Sequence, residues 1–401
     1  MKTSRSSTLL LVLAYVGFVS LGLPDGLLGV ASPSIRASFE LAPEDIGELL
    51  VSFTTGYLLS SFNGGTLVAR IGVGALLALS ALATSVSLLG YALVSSWTAM
   101  LGFAVLSGLG SGAIDAGLNT WVATSFTART VNWLHGFYGV GAATGPLVMT
   151  AVLASGRPWR SGYAIVGVFQ LVLAATFAAT RRRWETAPDP AAAAGGAPAA
   201  TEPTMSTARP IQTLRLPATW LGIAVFFLYT GTEATAGVWA YSVLTQSRGV
   251  DSETAGLWVS LFWTGLTVGR FGFGFVADHV RLLALLRASM AAIALGAALF
   301  TAGGAGLAAA VGLVVSGLGM APIFPSLIAT TPARLGPRHT GNAVGFQVGA
   351  AILGAALLPS LTGLLVGGLG LEVVGPSMLA AALGLLALHE VLVRAPAQKA
   401  A

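Results

Sequence analysis

An internal repeat with a constant offset of 209 residues constrains this chain more than any other feature of its sequence. The segment Ser107–Ile114, which reads SGLGSGAI, returns as Ser316–Ile323, which reads SGLGMAPI. Matching residues far from this segment keep the same offset: Glu44 with Glu253, Gly47 with Gly256, Gly56 with Gly265, and Gly136-Phe137 with Gly345-Phe346. Two parallel copies of one structural unit are typical of transporters that bind a solute between their halves.

The composition places both copies in a lipid bilayer. Of the 401 residues, 55% are hydrophobic and 9% are charged, whereas about 25% of the residues in a soluble domain are charged. A helix needs about 20 mainly apolar residues to cross a membrane. Runs of this kind predict twelve spans: 8–31, 46–69, 72–93, 97–124, 131–155, 161–180, 217–245, 254–277, 280–302, 304–330, 340–368 and 372–393. The predicted fold is an all-α membrane protein, with twelve transmembrane helices in two pseudo-symmetric six-helix bundles.

One long segment separates the two groups of six spans. Residues 186–208 are rich in Ala, Gly and Pro and contain too few apolar side chains to form a core. Such a composition is typical of a flexible linker. We therefore predict an N-terminal bundle over 1–185, a flexible cytoplasmic linker over 186–215 and a C-terminal bundle over 216–401.

The basic residues are distributed unequally between the two sides of the predicted membrane. With the N-terminus inside, fourteen Lys and Arg residues fall on the inner side and four on the outer side, namely Arg36, Arg157, Arg160 and Arg248. Basic residues are enriched in cytoplasmic loops. The bias predicts a multi-pass protein of the inner or plasma membrane with both termini in the cytoplasm.

Several classes of chemistry are excluded by what the sequence lacks. It contains no cysteine, and its four histidines are widely spaced. It also has no phosphate-binding loop with its lysine. The residues needed for thiolate catalysis, a metal cluster or ATP hydrolysis are therefore missing from the sequence. We predict no cofactor, no metal and no enzymatic activity. The expected partners are a small solute, protons and the bilayer, without nucleic acid, and the expected state is a monomer.

Three acidic residues fall inside predicted spans: Asp25 in the first, Asp115 in the fourth and Glu233 in the seventh. An ionisable side chain costs at least about 2.5 kcal/mol in such a position, so each is a candidate proton carrier. Asp25 and Glu233 occupy nearly equivalent positions of the two repeats. The alternative for each acid is a hydrogen bond within a helix interface.

Polar and aromatic residues near these acids are candidates for binding the solute. Asn119 lies one helical turn after Asp115 on the same helix face, and a carboxylate beside an amide offers acceptors and donors to neighbouring hydroxyl groups. Asn119 satisfying Asp115 in a helix contact is the alternative. The remaining candidates are Asp25 itself, Tyr138 and Gln347, which correspond at the repeat offset, and Tyr229, Trp239, Asn63 and Gln170.

Glycines at four-residue spacing, such as Gly141 and Gly145 or Gly108 and Gly112, also occur within the spans. In membranes this spacing lets two helix backbones approach closely. We interpret these glycines as packing contacts.

One loop segment resembles a motif of the major facilitator superfamily. In that superfamily the motif reads Gly-x-Leu-Ala-Asp-Arg-x-Gly and lies between spans two and three and again between spans eight and nine. Within Gly265–His279, Gly274, Asp278 and His279 match its glycine, aspartate and basic positions. The first copy, Gly65–Gly72, keeps both glycines and Arg70 but has Ala69 where the aspartate stands. The resemblance implies a cytoplasmic gate, for which the candidates are Arg70, Arg270, Asp278 and His135.

Within that superfamily, two segments resemble the fucose permease group of sugar:proton symporters. They are Gly110–Asn119 on span four and Leu134–Pro146 on span five, and Pro24-Asp25 matches the acid near a proline on span one. The resemblance implies import of a monosaccharide with protons by alternating access. No pair of basic residues marks the span centres, which favours a neutral solute.

A drug:proton antiporter of the same superfamily is the alternative, because Gly141–Pro146 also resembles the span-five motif of that group. The sequence leaves open whether the coupling ion is a proton or sodium.

Overall fold

The computed structural model describes residues 5–126, 128–184, 208–276 and 280–394, and this part of the chain is helical with short connecting turns. Six long helices make up its first half: α1 Arg5–Phe39, α2 Ile46–Ile71, α3 Val73–Leu93, α4 Trp97–Ser125, α5 Ala128–Ala154 and α6 Trp159–Thr180. The second half begins with the short helix α7, Pro210–Leu214. It continues with α8 Pro217–Ser242, α9 Ser252–Val276, α10 Leu282–Ala302, α11 Leu307–Met320, α12 Ile323–Leu335, α13 Pro337–Leu369 and α14 Val374–Arg394.

Within the described residues, ten segments are long and apolar enough to cross a membrane. They coincide with ten of the twelve predicted spans and confirm the prediction of an all-α membrane protein. The two predicted spans outside this set are α2 and α9, which have 26 and 25 residues and are therefore long enough to span. Serine, threonine and charged residues lower their mean hydropathy, among them Glu48 and Arg70 in α2 and Glu253 and Arg270 in α9.

Tertiary contacts divide the chain into two units. The first comprises Met1–Pro198 with Val250–Trp263, and the second comprises Ala199–Gly249 with Thr264–Ala401. The first half of α9 thus clusters with the first unit, where the Ser260 hydroxyl donates a hydrogen bond of 2.7 Å to the carbonyl oxygen of Ala143.

The last residues of the predicted linker are held against the start of α13. The backbone N–H of Ala208 donates to the carbonyl of Arg338 at 3.0 Å, and the Asn342 amide donates to the carbonyl of Ala208 at 2.7 Å. The Thr213 hydroxyl lies 2.9 Å from Nδ1 of His339. Contacts with the start of α13 therefore hold the backbone of Ala208 and the side chain of Thr213 within the second unit.

The two copies of the repeated segment differ in backbone. In the first unit the segment lies inside the continuous helix α4, whereas in the second the predicted single span 304–330 is divided into α11 and α12 by a turn at Ala321-Pro322. Pro322 stands where the first copy has Ala113. Proline cannot donate a backbone hydrogen bond and clashes with the preceding turn of a helix, which accounts for the break.

Glycines set the closest helix approaches of the first unit. A Cβ on Gly22 of α1 or on Gly141 of α5 would collide with a backbone carbonyl of the facing helix, that of Tyr138 or of Val19. Gly56 of α2 and Gly108 of α4 face each other's helices in the same way. The packing role predicted for Gly141 and Gly108 is confirmed. These contacts bring α1 against α5 and α2 against α4.

Candidate functional site

Asp115 on α4 is the centre of a hydrogen-bonded group that joins two helices. The Tyr57 hydroxyl, on α2, donates to Oδ2 of Asp115 at 2.7 Å, and the Asn119 amide donates to Oδ1 at 2.9 Å. The close approach at Gly56 and Gly108 places the phenol within reach of the carboxyl group. All three side chains are half-buried. Asp115 therefore has both oxygens occupied by neutral donors while part of its surface stays open.

Asp25 on α1 has a similar neighbour on α5. The Tyr138 hydroxyl donates to Oδ2 of Asp25 at 2.6 Å, and both residues are half-buried. The glycine contact between α1 and α5 involves Gly22 and the carbonyl of Tyr138 itself, so the helix packing and the hydrogen bond share one position. The structure thus joins two residues that the sequence predicted separately.

Glu233 on α8 is more deeply buried than the other two acids, with 7% of its surface exposed. The Tyr229 hydroxyl, one turn earlier on the same helix, donates to Oε2 at 2.7 Å. A guanidinium nitrogen of Arg270, on α9, lies 3.7 Å from Oε2. The resemblance stated above makes Arg270 a candidate for a cytoplasmic gate, and this contact with Glu233 joins residues on two different helices. The tertiary structure makes Arg270 the counter-charge of this acid.

The second unit has no counterpart of the Asp115 group at the equivalent position. Phe324 stands there. Its ring packs edge-on against Phe226, with 5.2 Å between ring centroids, and is tilted against Tyr229, with 6.4 Å between centroids. An aromatic cluster in the second unit thus replaces the polar cluster of the first.

Four residues predicted to contact the solute make hydrogen bonds to groups of the protein. Gln170 and Trp239 are buried and donate to the backbone carbonyls of Ser20 and Pro359, both at 2.9 Å. Asn63 is exposed and donates to the carbonyl of Leu59 on its own helix, at 2.7 Å. The fourth, Gln347, accepts a hydrogen bond of 3.1 Å from Thr331 within the second unit. Tyr229 is also buried, and its hydroxyl is directed to Glu233. In this conformation Gln170, Trp239 and Tyr229 present almost no surface to a ligand.

The gate candidates are dispersed. Arg70 is exposed in the last turn of α2, and the ring of His135 packs edge-on against Phe18, with 5.3 Å between ring centroids. Arg270 pairs with Glu233 as described above. Asp278 lies outside the described residues, as does His279.

Tyr57 is a site residue that is absent from the sequence-based candidates, although its hydroxyl donates to Asp115 at 2.7 Å. The available signal was a polar aromatic residue directly after Gly56, a glycine conserved in both copies of the repeat. Such a signal marks a helix contact, but it does not identify the helix on the other side.

Comparison with known proteins agrees with this architecture. The family model of the Major Facilitator Superfamily matches residues 14–237 and again residues 221–401. The chain is 24% identical over 387 residues to Bypass of stop codon protein 6 of Saccharomyces cerevisiae, covering 88% of this chain and 76% of the yeast protein. It is 23% identical over 367 residues to the glucose/mannose transporter GlcP of Bacillus subtilis, covering 87% of this chain and 86% of that protein.

Two solved structures share the fold at low sequence identity. The nucleoside transporter NupG superposes with a TM-score of 0.73 at 13% identity, over 95% of this chain and 99% of that chain. A D-xylose-proton symporter superposes with a TM-score of 0.71 at 14% identity, over 94% and 96% of the two chains. The two family matches, which cover both halves, show that this multi-pass membrane protein belongs to the Major Facilitator Superfamily of secondary transporters.

Proposed function

We propose that this protein imports a neutral polyhydroxylated solute, in the first place a monosaccharide, together with protons by alternating access. The observation that carries the proposal is the Asp115 group, in which a half-buried carboxyl group is held by a phenol and an amide. The 23% identity to a glucose/mannose transporter supports a sugar as the solute. The resemblance of spans four and five to the fucose permease group is part of the same proposal.

Asp115 is the proposed proton carrier. No basic side chain of the described residues lies within 4.0 Å of its carboxyl group, so no side chain of these residues neutralises it, and a proton can do so. Enclosing an ionised carboxylate in an apolar path is costly, whereas the neutral acid is enclosed much more easily. Protonation from the outer side, closure of the path and release of the proton on the inner side would then couple the two fluxes.

Asn119 is the proposed contact for the solute. One N–H of its amide is committed to Asp115, and its own carbonyl oxygen accepts no hydrogen bond from the described residues. A sugar hydroxyl can donate to this oxygen and accept from the second N–H of the amide. Asp25 with Tyr138 forms a second carboxyl–phenol pair that can serve the same solute or a second proton.

Charge balance in the second unit favours an uncharged solute. Arg270 is the basic residue nearest to a buried acid, and it faces Glu233 at 3.7 Å. A solute with its own negative charge would compete with Glu233 for that guanidinium group, whereas a neutral solute leaves the pair intact. For the same reason we assign the proton to Asp115 rather than to Glu233.

The orientation completes the proposal. The excess of basic residues on one side supports a cell-membrane protein with both termini in the cytoplasm. Solute and protons would then enter together from the outer side, down the usual proton gradient.

Measuring the pH outside lightly buffered, de-energised proteoliposomes tests this function. Purified protein is challenged with a panel of neutral sugars and then with lipophilic cations. We expect alkalinisation with a particular sugar and no response to the cations. Acidification on adding a cation, with silence for every sugar, would establish the drug:proton antiporter instead. Uptake that follows an imposed sodium gradient and ignores pH would reject the proton as the coupling ion.

A further inference from the structure

A small cavity lies inside the second unit, between α8, α12, α13 and α14. Its wall includes Gly222 of α8, Thr331 and Arg334 of α12, Gln347 of α13 and Leu392 of α14. The cavity volume is about 10 Å³, which is room for about one small particle. The cavity is separate from the Asp115 group, since its lining belongs to the second unit only.

Two hydrogen-bond donors in this wall have no acceptor. Gln347 is 6% exposed, and its carbonyl Oε1 is occupied by the Thr331 hydroxyl. Its amide Nε2 is directed toward Gly222 and donates to no described residue. The guanidinium nitrogen Nη1 of Arg334 is buried and also has no hydrogen-bond partner. Among the described residues, Arg334 Nη1 is thus a buried donor without a partner, which costs about 1–3 kcal/mol, and more because it is charged.

The cavity contains nothing to balance the charge of Arg334. No acidic residue lines it, and no described carboxylate lies within 4.0 Å of Arg334. The hydroxyl protons of Thr330 and Thr331 are directed to oxygen atoms of the protein, those of Leu327 and Gln347. The remaining wall is mainly apolar.

We propose that this cavity is a binding site for a small monovalent anion of halide type, with chloride as the natural candidate. An anion accepts hydrogen bonds from Arg334 and Gln347 at once and neutralises the guanidinium charge. A water molecule can accept from both donors, but its own two hydrogens need acceptors and it leaves the charge unbalanced. Because the cavity lies between four helices, an anion bound in it joins their side chains and stabilises the second unit. The inference does not depend on the proposed solute.

The test compares the melting temperature of the purified full-length protein in sodium chloride, sodium bromide and sodium gluconate at constant ionic strength. Gluconate is too large for the cavity. We expect a saturable rise of roughly 2–4 °C in chloride and bromide relative to gluconate, because a ligand that binds only the folded state stabilises it. Arg334→Gln should abolish this difference. Arg338→Gln, which removes an exposed arginine at the start of α13, should retain it.

A second variant keeps the test decisive if Arg334→Gln fails to fold. Gln347→Glu places a carboxylate beside Arg334, so it should melt in gluconate at least as high as the parent protein and lose the halide dependence. A bromide-soaked crystal should show an anomalous peak within hydrogen-bonding distance of Arg334 Nη1. Equal melting temperatures of the parent protein in halide and gluconate, or a cavity without bromide, would overturn the proposal and leave a water site.

Discussion

The two units share a repeated sequence but surround the acids of their helices with different partners. In the first unit, Asp115 accepts hydrogen bonds from a phenol and an amide, both neutral. In the second, Glu233 accepts one from Tyr229 and faces the guanidinium group of Arg270. A carboxyl group with neutral partners can exchange a proton without breaking an ion pair, whereas one with a counter-charge loses its pair on protonation. Under the proposed function, the first unit would carry the exchangeable proton, while the acid of the second unit faces a guanidinium group.

The backbone of the repeated segment also differs between the two units. The first unit keeps α4 continuous through the repeated segment, and the second breaks it at Ala321-Pro322 and replaces the acid by Phe324. Repetition therefore preserved the positions of the helices, while substitutions at a few positions made the two polar centres unequal.

Asp115→Asn should have the largest effect and tests this comparison most directly. The amide keeps the shape of the carboxyl group but cannot exchange a proton, so concentrative uptake should be lost while solute exchange stays within about tenfold, or about 1.4 kcal/mol. Uphill uptake and counterflow in proteoliposomes measure the two activities. Asp251→Asn, in an exposed loop, is the control. Undiminished accumulation by Asp115→Asn would move the carrier to another acid.

Removing one member of the Arg270–Glu233 pair should cost stability. Either Arg270→Gln or Glu233→Gln leaves a buried charge without its partner, at about 3 kcal/mol, and the double variant should recover most of that loss. The measurement is a double-mutant cycle of unfolding free energies in detergent. Arg287→Gln is the matched control, because the Arg287–Glu390 pair is partly exposed and an exposed pair contributes much less to stability than a buried one. Equal costs for the two arginines would show that the Arg270–Glu233 pair contributes no more than a partly exposed pair of the same unit, and the second unit would then hold no strongly coupled buried pair.

Tyr57→Phe sharpens the assignment of the Asp115 group. The change removes one hydrogen bond to the acid, a loss of roughly 1.5–3 kcal/mol when the acceptor is charged, and we expect transport efficiency to fall at least about tenfold. Initial uptake rates over a range of solute concentrations provide kcat/KM. Tyr15→Phe is the control. The Tyr15 ring stacks on Phe137 with centroids 4.4 Å apart, and this ring contact should persist when the hydroxyl is removed. Normal kcat/KM in Tyr57→Phe would show that the phenol is only a packing element.

Asn119→Ala should separate binding from coupling. Losing one neutral hydrogen bond to the solute costs about 1 kcal/mol, so KM should rise about fivefold while the ratio of protons to solute stays the same. Parallel measurement of solute uptake and pH change gives both quantities. If KM is unaltered, Asn119 serves only to hold Asp115 and the solute binds elsewhere.

Asn63→Ala should have the smallest effect. Its amide donates to a carbonyl of its own helix and the residue is exposed, so uptake should stay within about twofold and stability within about 0.5 kcal/mol. Uptake kinetics and a melting curve are sufficient. A large rise in KM would place the solute path along this face of α2, contrary to the arrangement described above.

How far prediction from sequence reached depends on the range of the interaction. Asp115 and Asn119 were paired from their spacing on one helix, and the structure has that hydrogen bond. The partnership of Asp25 with Tyr138 joins residues 113 positions apart, and no local pattern specifies such a contact. Arg270 was assigned to a gate because its sequence neighbours form a loop motif, whereas its actual neighbour, Glu233, lies on another helix.

Apolar runs, the offset of 209 residues and the positions of glycine and proline determined the class of fold, the number of repeats and most helix positions, because these depend on local hydrophobicity and backbone geometry. The tertiary structure alone decided which donor each acid receives, and whether Gln170 and Trp239 face a solute or a backbone carbonyl. The physical reason is that hydrophobic burial fixes which face of a helix is inside, while a hydrogen bond requires a distance set by how closely two helices approach.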